Sequence, residues 1–120
     1  MDDAKNLTKN KVWAVVEAAN MPTTAEATDH FEKNEVRFGP AKAVNAGGVA
    51  VSGLEMAQDS QRERWTSEKV DKMLWNIMDR IYNQCATAAK EFGQEGNLRV
   101  GANLAGFKRV ADAVIAQGSV

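Results

Sequence analysis

The spacing of hydrophobic residues separates the chain into an N-terminal part with strand-like runs and a C-terminal part with helical periodicity. After a short polar lead-in over residues 2–10, which we expect to be helical, Val12–Val16 forms an apolar run rich in β-branched residues. Its length and composition favour a buried strand over a helix. A second, shorter strand is predicted at Val36–Phe38, because a glycine and a proline follow it directly.

Helices are predicted between and beyond these strands. Thr23, followed three residues later by Glu26, matches a capping box, so a helix should run from about Thr24 to Lys33. From residue 45 onward, apolar residues recur at three- and four-residue spacings, as on one face of a helix. This periodicity predicts three further helices: Asn45 to about Arg62, Thr66–Phe92 with a cap at Thr66 or Ser67 and an end at Gly93, and Leu104–Ala116.

The predicted order of strand, helix, strand and then three helices places the chain in the α/β class. A strand–helix–strand unit normally belongs to a larger parallel sheet whose two faces are covered. Two strands are too few for such a sheet. We therefore interpret residues 1–120 as a single segment of a larger domain.

Composition and charge exclude several classes of function. Of the 120 residues, 44% are hydrophobic and 26% are charged, and the formal net charge is -1, so neither nucleic acid nor an anionic membrane surface is indicated as a partner. Cys85 is the only cysteine, which rules out an internal disulfide and fits a reducing compartment. The first residues are acidic where a secretory signal would be basic, so we expect a cytoplasmic protein.

The segment from Asn45 to Met56 contains the clearest candidate for a binding surface. At one hundred degrees per residue, one helix face would carry Asn45, Val49, Ser52 and Met56, with the bare Gly48 beside them. The opposite face would carry Ala50, Leu54 and Ala57, which can pack against the protein. Such a helix suits the close approach of a polar ligand, and its N-terminus favours an anion. On spacing alone, the favoured interpretation is the simpler one, in which the glycines allow close helix packing and Ser52 bonds to its own backbone.

A second candidate is Asn20, which follows the first predicted strand. In open parallel sheets, ligands bind beyond the carboxyl ends of the strands, and an asparagine there offers both a donor and an acceptor. The alternative is an ordinary turn asparagine. On residue type and position alone, the turn asparagine is the favoured interpretation.

Taken together, these motifs resemble the glutamate dehydrogenase family. Val15–Thr24 resembles the stretch that usually reads Glu-Gly-Ala-Asn-Met-Pro-Thr-Thr, and Pro40–Val49 resembles Pro-Gly-Lys-x-x-Asn-Ala-Gly-Gly-Val. Ser52–Gln58 continues the second motif. Gly101–Phe107 and Val110–Ala113 resemble the end of the bacterial-type hexameric enzymes. The resemblance covers nearly the whole chain, and the Met-Pro-Thr-Thr run favours glutamate dehydrogenases over the leucine, phenylalanine and valine dehydrogenases.

The resemblance implies a fold, a reaction and a role for particular residues. It implies the C-terminal part of a Rossmann-like domain that binds NADP or NAD, with NADP favoured by the C-terminal sequence. Ala19, Asn20 and Asn45 would contact the nucleotide, and Ser52 would bind the side-chain carboxylate of glutamate or 2-oxoglutarate. The implied reaction is the reversible oxidative deamination of glutamate, and full-length members form hexamers.

The resemblance also implies that part of the chemistry lies elsewhere. The catalytic lysine and aspartate of the family belong to its N-terminal substrate domain, so we expect no catalytic residue and no metal site in this chain, which should be inactive alone. Lys42 stands in a different context from the catalytic lysine. Ala18 and Ala41 replace family glycines, where the backbone would use positive φ or close approach. The alternative function is a non-catalytic helical interaction module.

Overall fold

The structure is a computed structural model that describes residues 1–118. Within those residues, two short parallel strands are combined with six helices. In chain order the elements are α1 (Asp2–Lys9), β1 (Ala14–Val16), α2 (Ala25–Lys33), β2 (Arg37–Gly39), α3 (Ala41–Val44), α4 (Ala46–Gln61), α5 (Ser67–Glu91) and α6 (Leu98–Gln117).

The strand–helix–strand unit predicted from the sequence is present. Strands β1 and β2 pair in parallel, with Val15 opposite Phe38, and α2 makes the connection between them. Phe31 of α2 stacks on Phe38 with the ring centroids 6.2 Å apart. These aromatic rings form the centre of a small core, which has the following buried members: Ala4, Ala27, Phe31, Val36 and Phe38.

Strand β1 begins later than the apolar run suggested. The Val12 N–H donates to the carbonyl of Leu7 at 3.2 Å, and Lys11 has a φ of 57°. Val12 is therefore part of the turn that ends α1, and β1 begins at Ala14. An apolar side chain predicts burial, but the backbone hydrogen bond decides whether the residue joins the sheet.

The predicted capping box at the start of α2 is wrong. The N-cap is Thr24, whose side-chain oxygen accepts a hydrogen bond from the Ala27 N–H at 3.3 Å. The Thr23 N–H instead donates to the Glu17 carboxylate at 3.1 Å. A carboxylate distant from the helix thus engages the residue that the sequence pattern assigned to the cap.

The helices after β2 differ in number and in one boundary from the prediction. The one-turn helix α3 was not expected, so four helices rather than three follow β2. Helix α6 begins at Leu98 instead of Leu104, and its cap is the Asn97 side chain, which accepts from the Val100 N–H at 3.0 Å. Helix α5 agrees with the prediction, since Thr66 caps it by accepting from the Lys69 N–H.

Helices α5 and α6 pack closely because small residues line their crossing. Cys85, Ala88 and Ala89 of α5 are buried, as is Gly101 of α6. A Cβ atom placed on Gly101 would lie 2.1 Å from the Cys85 carbonyl oxygen, so only glycine fits there. Cys85 is thus a small buried residue of this crossing. None of the helices within the described residues is long and apolar enough to cross a membrane.

Candidate functional site

The candidate site lies at the carboxyl ends of the two parallel strands. The loop after β1 carries Ala19 and Asn20, and the segment after β2 leads through α3 to Asn45. Because parallel strands run in the same direction, their carboxyl ends lie on the same side of the sheet. Open parallel sheets bind ligands beyond these carboxyl ends.

Glu17 joins these two segments. Its side chain is only 7% exposed. One carboxylate oxygen, Oε1, accepts from the Thr23 N–H at 3.1 Å, and Oε2 accepts from the Ala41 N–H at 2.8 Å. The Glu17 N–H itself donates to the Gly39 carbonyl at 3.0 Å, extending the sheet ladder by one bond. Sequence reasoning missed this residue, although a carboxylate placed directly after an apolar strand was the available signal.

Asn45 brings the second segment into contact with the first. Its Nδ2 atom donates to the Ala19 carbonyl oxygen at 3.1 Å, so two of the sequence-predicted site residues meet. The bond uses the amide nitrogen and leaves Oδ1 as the atom that can accept a hydrogen bond from a ligand. Asn20 is exposed on the same loop, next to Ala19.

The two alanines that replace family glycines do not occupy glycine-only conformations. Positive φ in this loop is found at Met21, with a φ of 50°, and at neither Ala18 nor Ala41. Ala41 is buried, and its N–H makes the bond to Glu17. A methyl group at these two positions is therefore compatible with the backbone that the structure shows.

Helix α4 has the two faces predicted from the sequence. Leu54 is buried, while the front face is exposed at Gly48, Val49, Ser52 and Met56. The Ser52 hydroxyl donates to the Gly48 carbonyl at 3.3 Å, as predicted by the interpretation in which Ser52 bonds to its own backbone. This bond is long and solvent-exposed, so a rotation about the Cβ–Oγ bond presents the proton to a ligand.

The start of α4 offers fewer free N–H groups than an isolated helix end. Asn45 has helical dihedral angles, and its N–H donates to the Ala41 carbonyl at 2.8 Å. The Gly48 N–H donates to the Asn45 carbonyl at 3.1 Å. Helix α3 thus leads almost directly into α4, which weakens the anion-binding argument made from the sequence.

Lys42 is held on the outside of α3. Its ammonium group donates to the Asn103 side-chain oxygen of α6 at 2.5 Å. This contact links the segment after β2 to the C-terminal helix.

The shifted pKa values belong to other parts of the molecule. Burial raises the pKa of the Cys85 thiol in α5. The hydrogen bond to Glu32, supported by the charges of Glu32 and Asp29, raises the pKa of Arg99 in α6. Backbone and Thr66 hydrogen bonds at the first turn of α5 lower the pKa of Glu68. The candidate site therefore depends on hydrogen-bond geometry rather than on these groups.

Comparisons with known proteins identify the family of the chain. The family model described as Glutamate/Leucine/Phenylalanine/Valine dehydrogenase matches residues 1–118. An NADP-specific glutamate dehydrogenase of Haemophilus influenzae is 56% identical over 119 residues, which are 98% of this chain and 26% of that protein. An NAD-specific glutamate dehydrogenase of Porphyromonas gingivalis is 50% identical over 121 residues, with 98% and 26% covered.

A solved structure gives the same result at the level of the fold. The structure of Plasmodium falciparum glutamate dehydrogenase 2 superposes with a TM-score of 0.91 at 47% sequence identity, over 99% of this chain and 26% of that one. The chain thus spans about a quarter of the length of the relatives it matches. Since the family model covers all but the last two residues, the chain belongs to the glutamate/leucine/phenylalanine/valine dehydrogenase family.

Proposed function

We propose that this chain is the C-terminal part of the nucleotide-binding domain, with the C-terminal helices, of a glutamate dehydrogenase. The reaction is the reversible oxidative deamination of L-glutamate to 2-oxoglutarate and ammonia. The observation that carries the proposal is the Asn45–Ala19 hydrogen bond, which joins two predicted site residues at the carboxyl ends of parallel strands. Relatives that are 56% and 50% identical and bear this enzyme's name support it.

The residues at the carboxyl ends of the strands fit a nicotinamide nucleotide. Asn20 is exposed, and Asn45 keeps its amide oxygen free of the Ala19 contact, so both side chains can bond polar groups of the nucleotide. When bound, the nicotinamide supplies the acceptor for the hydride that leaves glutamate. We assign the nucleotide as NADP or NAD, because the residues that distinguish them normally lie near the second strand of such a domain.

We assign Ser52 to the substrate. Its hydroxyl is exposed on the front of α4, seven residues after Asn45, with the bare Gly48 between them. A hydroxyl that donates to the distal carboxylate of glutamate makes a charge-assisted bond, which selects a dicarboxylate over an apolar side chain.

The complete enzyme supplies what this segment does not. The resemblance assigns the catalytic lysine and aspartate to a separate substrate domain, and this chain spans about a quarter of its relatives. We propose that the complete enzyme is a cytoplasmic homo-oligomer, a hexamer by resemblance. The parallel pair and its helical crossover support our assignment of the domain as Rossmann-like.

An activity assay tests the location of the catalytic groups. We expect no NADPH or NADH formation from the purified 120-residue chain at saturating glutamate, and we expect turnover from the full-length enzyme that carries it. Running both nucleotides in parallel identifies the preferred one. Turnover of the isolated chain that survives repurification would show that its own residues suffice for catalysis.

Replacing Ser52 in the full-length enzyme tests the substrate assignment. Ser52→Ala removes one bond to a charged group, worth about 1.5–3 kcal/mol, so kcat/KM for glutamate should fall by about ten- to a hundredfold. Nucleotide binding should stay nearly normal, and discrimination against norvaline should weaken. Ser60→Ala is the matched control, because Ser60 lies on the same helix and makes the same kind of bond, to the Met56 carbonyl. Unchanged glutamate kinetics, or weakened nucleotide binding with selectivity retained, would remove Ser52 from the substrate site.

A further inference from the structure

The buried carboxylate of Glu17 stands out because burial and charge oppose each other there. None of the ion pairs within residues 1–118 includes Glu17. Its charge is stabilised instead by two backbone N–H groups, one on each oxygen. Burying a carboxylate is costly unless its oxygens are hydrogen-bonded. Glu17 offers one oxygen to the Thr23 N–H and one to the Ala41 N–H, which an apolar side chain of the same size could not do.

Its two partners lie in the two segments that form the candidate site. Thr23 ends the loop that carries Ala19 and Asn20, and Ala41 begins α3. These partners are far apart in sequence, so the carboxylate sets the separation of the two segments. Water cannot replace it easily, because the side chain is almost fully buried.

The hydrogen bonds close a ring through the site. Glu17 holds the Ala41 N–H, and the Ala41 carbonyl accepts from the Asn45 N–H at 2.8 Å. Asn45 Nδ2 then donates to the Ala19 carbonyl, and Ala19 is two residues from Glu17 along the chain. Any shift of the Glu17 carboxylate is therefore passed to the Asn45 amide.

We propose that Glu17 is a positioning residue for the dehydrogenase reaction, which orients Asn45 by clamping the two segments together. This rests on the proposed function, since Asn45 matters only if it contacts the nucleotide. Glu17 itself touches neither nucleotide nor substrate in this assignment. Its effect on turnover is transmitted through the ring.

The test uses the full-length enzyme and the variant Glu17→Gln. Glutamine has the same shape, but its amide group turns an N–H donor toward one of the two backbone N–H groups, so one bond is lost. We expect kcat/KM for glutamate to fall by about tenfold, mainly through kcat. The control is Thr28→Val, which removes another buried polar group of the same unit, one that bonds only within α2 and its cap.

A double-variant cycle with Asn45→Ala separates positioning from simple loss of structure. If Glu17 acts through Asn45, the two losses should be non-additive, so that Glu17→Gln costs clearly less in the Asn45→Ala background. Multiplicative losses would overturn the proposal. So would a loss no larger than that of Thr28→Val at an equal fall in Tm.

Ala41→Pro provides a second variant if Glu17→Gln does not fold. It removes the N–H that donates to Oε2 and places the ring Cδ against that oxygen, so the Glu17 carboxylate must move away. Pro40 already has the φ of -72° and ψ of 144° that a following proline requires. We expect the same fall in kcat/KM and the same coupling to Asn45→Ala. A fully active Ala41→Pro enzyme would overturn the proposal.

Deuterium exchange keeps this inference distinct from the proposed function. In Glu17→Gln, amide exchange measured by mass spectrometry should accelerate in peptides covering residues 18–24 and 40–45, whether or not the enzyme oxidises glutamate. If exchange accelerates in the variant and the wild-type full-length enzyme has no glutamate activity, the clamp is real and the proposed function is wrong. Unchanged exchange would show that Glu17 clamps nothing.

Discussion

The two halves of the chain bury their residues in different ways. In the sheet unit, residues 1–45, the core contains two stacked phenylalanines with aliphatic neighbours, all buried. In the helical region, residues 46–118, the buried side chains are small except for Leu54, and the closest crossing is made by Gly101 against Cys85. The sheet unit thus has a core that large side chains fill, whereas the helical region has a tight contact of backbone on backbone.

The large apolar residues of the helical region lie on its surface. Those that are more than half exposed are Val49, Met56, Trp75, Tyr82, Phe92, Phe107, Val110, Val114 and Ile115. Exposed apolar residues in such numbers mark surfaces that another part of a protein covers. Trp13, Val16 and Met21 are exposed in the sheet unit as well, so both halves present apolar surface, but only the sheet unit has a core that large side chains fill. The helical region depends more on a further surface, as expected if the chain is a quarter of its relatives' length.

The largest effect on stability is expected from Phe31→Ala. Phe31 is 2% exposed at the centre of the core, and its truncation should lower the free energy of unfolding by about 3–4 kcal/mol. Phe107→Ala, at a residue that is 70% exposed, should change it by no more than about 0.5 kcal/mol. Urea unfolding followed by tryptophan fluorescence measures both. Equal losses would mean that the comparison of the two halves is wrong.

A somewhat smaller effect is expected from Gly101→Ala. The added methyl group would collide with the Cys85 carbonyl, so α6 must move away from α5, at a cost of about 2–3 kcal/mol. Gly106→Ala is the control on the same helix: within the described residues nothing lies within 4 Å of its added methyl, and helix propensity predicts a gain of about 0.5–1 kcal/mol. Thermal unfolding of the two variants should therefore shift in opposite directions. A stabilising Gly101→Ala would show that the crossing is loose.

The ion pairs between the two halves should contribute less to the free energy of unfolding than the packing at Phe31 or Gly101. Arg99 of α6 bonds Glu32 through two nitrogens, at 2.8 and 2.9 Å, and Asp29 at 3.1 Å. Arg99→Lys loses the paired geometry, but the groups are partly exposed, so we expect a loss of about 0.5–1 kcal/mol. The difference between wild type and variant, measured by urea unfolding at low and at high salt, should shrink as salt is added. A loss that does not depend on salt would assign the effect to packing of the arginine stem.

Substitutions on the exposed face of α6 should affect stability least and association most. We expect the isolated chain to self-associate through its apolar helix faces and the free edge of β1. The double variant Phe107→Ser and Ile115→Ser should lower the mass measured by light scattering and leave the unfolding midpoint, measured at high dilution, nearly unchanged. A wild-type chain that stays monomeric at high concentration would show that these faces do not drive self-association.

The amino-acid sequence by itself determined the features that local pattern encodes. Apolar runs and periodicity predicted the strand–helix–strand unit, helix α5 with its Thr66 cap, and the two faces of α4. These features depend on neighbours within a turn or two of the chain, which is why spacing reveals them. The motifs around Asn20, Asn45 and Gly101 also indicated the family, because each keeps its order and spacing.

Only the tertiary structure decided the features that depend on distant partners. Thr24 rather than Thr23 caps α2, and the Thr23 N–H donates instead to the Glu17 carboxylate. Helix α6 begins before Gly101, since that glycine serves the crossing with α5 and does not break the helix. Glu17 carried a local signal, a carboxylate directly after an apolar strand, but its bond to Ala41 could not be predicted because the two residues lie 24 positions apart.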